Sequence, residues 1–535
     1  MRLVVVTTLS VALSACSTGD TSVGSPDAAA DGSVPPGGDD GGAPVCNDGE
    51  AVCNGECAKI KTDDNACGAG TCAKTCGNGT HCSAGGCVAS KIEHVVLIVQ
   101  ENHTFDSYFG RYCTAPSGSS PTCTTGRACC EAAPATEPGS THAAPGVLDD
   151  AANFGGDRDH DRLCELQQLN GGKMDQFVTG ATGGSSCDGK QVAACSDAQN
   201  WVMTNNPQSL YWQLADENAL ADRWFQPCVG GSASNDQYFA GAHYRFADNE
   251  HIPQIAAGRR SGGGLCVDLP SPLNCIANAP IQYAKETIGG LLIDAGKSFA
   301  VYADGYGDAL AAAQNGNCPS NPSSCRYESC VSHPVACFGC VYDPSDIPFL
   351  YYARFGDTAL PGGGFTATPY VKDYEVDFVA DAAAGKLPSF AFVKARVWHN
   401  EHPNLSTISD GEAFVKAALD TIAASPNAAS TLVLVTWDEG GGFFDHVAPP
   451  EAFVATIDSD DTQNPVPYGT RVPLLAIGPF AKHGAVTHVV MEHSSIVRFL
   501  EWNFLTFTGQ LGARDGVVAN IGSLLDPAAT GIPVP

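Results

Sequence analysis

Asp438 and Glu439 stand side by side and are followed by three glycines, Gly440 to Gly442. Adjacent carboxylates are hard oxygen donors, and on a glycine loop they suit a divalent cation. An ordinary solvated acidic turn would show the same residues. A second oxygen-bearing pair, Glu101-Asn102, lies far upstream. Ser232 follows Gly230-Gly231 and opens a stretch that can run as a helix to Tyr238 and Phe239. A hydroxyl at a helix N-terminus sits where the dipole and free N–H groups favour an anion, which suits an alkoxide or a bound phosphate. A plain helix-capping serine is the alternative.

Both oxygen-bearing pairs end an apolar run. HVVLIVQ (His94–Gln100) and TLVLVTW (Thr431–Trp437) are too short for typical helices and read as strands buried on both faces. In open α/β sheets, ligands collect beyond the carboxyl ends of such strands. Ser298 to Ala303, Ser389 to Lys394 and Val472 to Ile477 read as further strands. Leu210 to Phe225, Ser409 to Ala424 and a closing stretch around Ser495 to Phe504 read as helices. In the second of these, Ser409 and Glu412 form a capping-box pattern, and Phe414, Val415, Leu419 and Ile422 mark the buried side. Strands alternating with helices argue for an α/β fold, a parallel or mixed sheet covered on both faces.

The chain has 535 residues, a net charge of −30 and 24 cysteines. The acidity argues against a nucleic-acid partner, and the cysteines point to an oxidising compartment. Met1-Arg2 and the apolar Leu3 to Leu13 have the form of an export signal. Leu13-Ser14-Ala15-Cys16 resembles a lipoprotein cleavage box, which makes Cys16 the expected lipidated residue of a surface or outer-membrane lipoprotein. A general secretory signal, leaving a periplasmic or secreted protein, is the alternative. Residues 17–45 read as a disordered tether reaching roughly 30 Å. Residues 46–88 carry eight cysteines and read as a disulfide-stapled module rather than a zinc site. Residues 91–527 read as the catalytic domain. No segment is long and apolar enough to span a bilayer, so membrane contact is expected through the anchor alone.

IVQENHTFDSYFG (Ile98 to Gly110) and TWDEGGGFFDHVAPP (Thr436 to Pro450) resemble the two signatures of the bacterial phosphoesterase family that contains phospholipases C and related acid phosphatases. The resemblance runs from about Ile92 to Phe504. It implies an alkaline-phosphatase-like αβα sandwich with a central, mostly parallel sheet. Carried over residue by residue, it makes Glu101, Asn102, Ser232, Asp438 and Glu439 ligands of one divalent metal ion. Oxygen donors favour calcium, magnesium or manganese, and zinc stays open. GGSASNDQYFAGA (Gly230 to Ala242) resembles the nucleophile segment of the acid phosphatase branch, with Ser232 forming a phosphoserine intermediate and Ser234 as the fallback. DRDHDRLCELQQLNGGKMDQF (Asp157 to Phe177) resembles the segment that supplies His160. His402 lies in the loop HNEHPN, and His446 closes the second signature. These three histidines are expected to bind phosphate and protonate the leaving group, while Asn235 and His493 shape the pocket.

The sequence departs from the family at His103-Thr104, where Arg-Ser is frequent, and the loop around His402 is shorter and less acidic than in many phospholipases C. The cysteine-rich insertions Cys113–Cys130 and Cys318–Cys340 have no counterpart. The resulting expectation is a metal-dependent phosphoric-ester hydrolase acting on a phosphate-ester or phospholipid substrate. The serine segment leans it to a phosphomonoesterase, with phospholipase C as the alternative. A catalytically inert surface-binding protein is the rival of another class, disfavoured because every expected ligand position holds a competent residue. A sulfatase would need a maturation motif around its nucleophile, and Ser232 has none.

Overall fold

A computed structural model describes residues 46–535 except 48–49, 54–55, 69–74, 138–143, 186–190, 193, 247, 249–250, 254–278, 308–309, 311–342, 357, 360–364 and 452–465. Cys16, the export signal, the tether and Cys318–Cys340 therefore lie outside the described residues.

Among the described residues, eight strands build the central sheet: β1 His94–Gln100, β2 Ala219–Ala221, β3 Phe299–Ala303, β4 Val371–Asp373, β5 Phe390–Lys394, β6 Thr431–Trp437, β7 Leu474–Ile477 and β8 Ala485–Thr487. Their order is β4-β3-β5-β1-β6-β7-β2-β8. From β4 to β6 every neighbour is parallel, so their carboxyl ends share one edge. β7 alone runs against its neighbours β6 and β2. Burial of every residue of β5 and β6, and of β1 beyond His94, explains their apolar runs: both faces are covered, as parallel sheets require.

The principal helices are α1 Phe105–Phe109, α2 Arg162–Leu169, α3 Leu210–Glu217, α4 Ser232–Gly241, α5 Ile288–Asp294, α6 Ile408–Ala423 and α7 His493–Leu505. α4, α5 and α7 pack together as one layer, and α1, α3 and α6 as another, which makes an αβα sandwich. Two local expectations are corrected. The helix read over Leu210 to Phe225 stops at Glu217, because Asn218 turns extended and Ala219–Ala221 enters the sheet between β7 and β8. Three small apolar residues carry no period by which to show this. The cap of α6 is Thr407, whose side chain accepts from the Asp410 amide. Ser409 instead binds Asp150, and Glu412 accepts from Ser209 and Leu210.

Among the described residues of 46–89, Ala51–Cys53 pairs with Glu56–Ala58 and Thr80–Ser83 with Gly86–Ala89, both antiparallel; Cys46–Cys57, Cys67–Cys82 and Cys76–Cys87 hold the module, and Cys53 is bridged as well. The module is seated on the C-terminal end of α7. His81 stacks on Trp502 at 4.1 Å, its Nε2 meets the Trp502 carbonyl at 2.8 Å, and the Gly79 amide donates to Thr506 Oγ1 at 3.0 Å. Cys113–Cys130, Cys123–Cys129 and Cys164–Cys195 staple loops of the larger unit. Cys228 is the free, buried thiol among the described cysteines. No helix among the described residues is long and apolar enough to cross a membrane.

Candidate active site

β1 and β6 pair in register to their last residues, Gln100 opposite Trp437. The next residues of each strand are therefore neighbours. The Asn102 amide donates to Asp438 Oδ1 at 3.0 Å, and Glu101, Asn102, Asp438 and Glu439 are all buried. Asn102 takes the left-handed conformation, with φ of 53°. The three glycines after Glu439 let protein approach closely. A Cβ on Gly441, whose φ is +62°, would overlap the Asn102 carbonyl, and one on Gly442 would press on the Asp159 carbonyl. The glycine loop thus serves as the bed on which the Glu101-Asn102 and His160 segments lie.

Asn102 Oδ1, Asp438 Oδ2 and Glu439 Oε1 are buried and have no hydrogen-bond partner among the described residues. Unmet buried oxygens are costly, and carboxylates more so, unless a cation completes them. Burial and the neighbouring Asp438 raise the carboxyl of Glu101, and burial also raises that of Glu439, where nearby His160 opposes it. An all-oxygen donor set with excess negative charge fits a hard divalent metal ion.

Ser232 opens α4 and is 4% exposed. Its turn is tightly braced. The Gly230 amide donates to Glu165 at 2.8 Å and the Gly231 amide to Asp248 at 3.2 Å. Glu165 also accepts from Gln226 and Thr470, and burial lifts its carboxyl to about 7. Asn235 donates to the Gly230 and Gly231 carbonyls, and Ser234 Oγ donates to Gly231, so both are occupied in holding the turn. One helical turn beyond Ser232, on the same face, stands Asp236. It is fully buried, and Oδ2 lies 3.8 Å from the Lys394 ammonium. Lys394 also contacts Glu101 directly. Asp236 and Lys394 carried no sequence signal of their own.

The histidines divide. His160 Nε2 lies 3.2 Å from Asn102 Nδ2 and 3.7 Å from Glu439 Oε1, and its Nδ1 donates to the Arg158 carbonyl at 2.6 Å. Nε2 therefore accepts from the Asn102 side-chain amide, as the neutral ring with its proton on Nδ1 does. The His402 ring lies 5.9 Å from that of His160, and with Asp157 the two rim the cluster. His446 is held elsewhere. Its Nδ1 meets Asp106 at 2.7 Å and its Nε2 faces Glu131 at 3.5 Å, while Arg471 bridges Asp106 and Asp445. His493 lies behind the nucleophile helix, stacked on Phe239 at 4.1 Å, and burial drives it down to about 3. Neither His446 nor His493 is brought beside His160 and His402.

The model of the Phosphoesterase family matches residues 92–505. Phospholipase C B of Mycobacterium tuberculosis is 26% identical over 469 residues, covering 82% of this chain and 78% of that protein. Non-hemolytic phospholipase C of Burkholderia pseudomallei is 26% identical over 440 residues, covering 77% of this chain and 55% of that protein. A solved protein in the alkaline phosphatase superfamily from Vibrio parahaemolyticus shares 10% identity and a TM-score of 0.31, covering 70% of this chain and 82% of its own. A likeness that low adds nothing to the fold described above. With the family model spanning most of the chain, the protein belongs to the Phosphoesterase family and is a phosphoric-ester hydrolase.

Proposed function

We propose that this hydrolase uses Ser232 as its nucleophile, with one divalent metal ion held by Glu101, Asn102, Asp438, Glu439 and the Ser232 hydroxyl. The observation that carries the reading is the set of unpartnered buried oxygens of Asn102, Asp438 and Glu439 at the ends of two adjacent strands. When bound, the ion supplies positive charge for the nucleophilic oxygen and the phosphoryl oxygens. Ser232 Oγ gives its proton to one of His160 and His402 and attacks phosphorus in line, breaking the bond to the leaving oxygen, its turn held rigid by Glu165, Asp248 and Asn235. The α4 N-terminus adds a favourable dipole for the developing charge. His160 and His402 bind the phosphoryl group and deliver a proton to the leaving oxygen. One of them then takes a proton from the water that hydrolyses the phosphoserine. His446 acts as a support away from this cluster, on Asp106 and Glu131, and His493 supports the nucleophile turn through the Asn235 carbonyl.

Relatives named phospholipase C, matched over about four fifths of the chain, move the substrate towards a phosphodiester headgroup. The Gly230-Gly231-Ser232 segment is the feature that favours a phosphomonoester, the second reading. The test compares nitrophenyl phosphate with nitrophenyl phosphorylcholine, using wild type and Ser232→Ala, with and without chelator. Diester turnover that falls by about 10³-fold or more in Ser232→Ala and is lost in chelator is the expected result. Preference for the monoester restores the second reading. Activity surviving in Ser232→Ala removes the serine from the mechanism.

A further inference from the structure

Lys394 ends β5 at the same sheet edge as the catalytic segments, after four apolar residues. A lysine at a strand end ordinarily extends into water. Here it is 2% exposed and its ammonium lies between Glu101 and Asp236. Both Asp236 oxygens are buried and neither accepts a hydrogen bond among the described residues, so Lys394 is the cation this carboxylate faces. Asp346 and Asp438 add negative charge nearby. Two carboxylates from different elements, turned towards one buried point, are a usual arrangement for holding a metal ion. In this protein the point is taken by an ammonium.

We propose, resting on the metal reading given above, that Lys394 is a built-in second cation: it neutralises Glu101 and Asp236 where a second divalent ion would otherwise be held, and so limits the cluster to one metal ion. Asp236 then serves Lys394 and is no ligand of the metal. Lys394 is a positioning residue, fixing Glu101 at the end of β1 while Asn102, Asp438 and Glu439 offer their free oxygens to the ion. A cluster with Glu101, Asp236, Asp438 and Glu439 and no lysine would hold four carboxylates around a single divalent charge. The lysine halves that imbalance without a further ion.

Metal stoichiometry tests this independently of turnover. The full chain, loaded with manganese and dialysed, is analysed for metal per chain as wild type, Asp236→Asn, Lys394→Ala and the double variant. The expected values are one equivalent in wild type and in Asp236→Asn. Lys394→Ala should gain a second, weaker equivalent on manganese titration, and Asp236→Asn in that background should abolish it. Two tight equivalents in wild type, one of them lost in Asp236→Asn, would overturn the assignment of Lys394 and leave the metal reading intact. No metal in wild type and none gained in Lys394→Ala would overturn both. Should Lys394→Ala fail to fold, wild type and Asp236→Asn still decide: one equivalent in each supports the proposal, and a loss in Asp236→Asn rejects it.

Discussion

Asp106 is fully buried, yet it accepts from the His446 amide at 2.9 Å, from His446 Nδ1 and from Arg471. Burial raises its carboxyl, but His446 and Arg471 outweigh that and hold it below the usual range. For His446 burial again opposes the charge, and Asp106 with Glu131 lifts it to about 9. A folded value of about 9 against about 6.5 when unfolded means the folded chain holds this proton more tightly. The stabilisation is complete below about pH 6.5 and is lost as pH rises through 9, amounting to about 3 kcal/mol at most. Urea unfolding of wild type and His446→Gln at pH 6 and pH 10 should show a gap that shrinks at high pH; a constant gap would mean His446 carries no proton. At Gly441 a side chain meets both a positive φ and the Asn102 carbonyl. Gly441→Ala should displace Asn102 and weaken metal binding at least about tenfold, since left-handed strain alone costs about 1–2 kcal/mol. Calorimetric titration with manganese measures it, and unchanged affinity would show that the loop gives way instead.

At the scale of elements, one buried carboxylate ties four of them together. Glu401 accepts from Tyr108 of α1, Tyr211 of α3, Trp437 Nε1 of β6 at 3.1 Å and Gln100 Nε2 of β1 at 3.5 Å. Burial pushes it up to about 8, against the pull of those donors. Its own carbonyl accepts from Asn153, fixing the loop that carries His402. Glu401→Ala strands several buried donors and should cost about 3 kcal/mol or more, with kcat falling as the His402 loop loosens. Glu401→Gln keeps the shape and should lose much less in both measurements. Equal losses in stability and kcat for the two variants would mean the charge, and not the tie, matters. Elements of this size differ in how openly the sequence declares them. β1 and β6 are seven-residue apolar runs and were legible to their last residue, as were the oxygen-bearing pairs beyond them. β2, β4 and β8 are three residues each and could not be read from periodicity. Asn235 had the look of a pocket residue because the sequence does not show that Gly230 and Gly231 leave carbonyls for it to brace. Lys394 was legible as a strand end, but its burial depends on Glu101 and Asp236, which only the sheet brings near.

For the molecule as a whole, the module at residues 46–89 and the catalytic unit share α7. The N-terminal end of this helix sets His493 behind the nucleophile helix, and its far end seats His81. A loose spacer would leave the catalytic unit indifferent to it. His81→Ala, which removes the Trp502 stack and two hydrogen bonds, should lower the melting temperature by at least about 2 °C without changing kcat. An unchanged melting temperature would reduce the seat to a passive contact. The sequence divided the chain at this boundary from cysteine density, but the seat itself rests on one histidine and one tryptophan too far apart to be linked by inspection. Cys228 has its consequence on the way to this structure. Once folded, its thiol is inert, for burial raises it far from ionisation. In the reduced, unfolded chain it stands exposed among cysteines that must pair, and nothing yet separates it from them. Its toll falls on refolding yield, through mixed disulfides that have to be undone before α4 can close over it. Cys228→Ser should return more active protein from a glutathione redox buffer than wild type does, at nearly the same final stability.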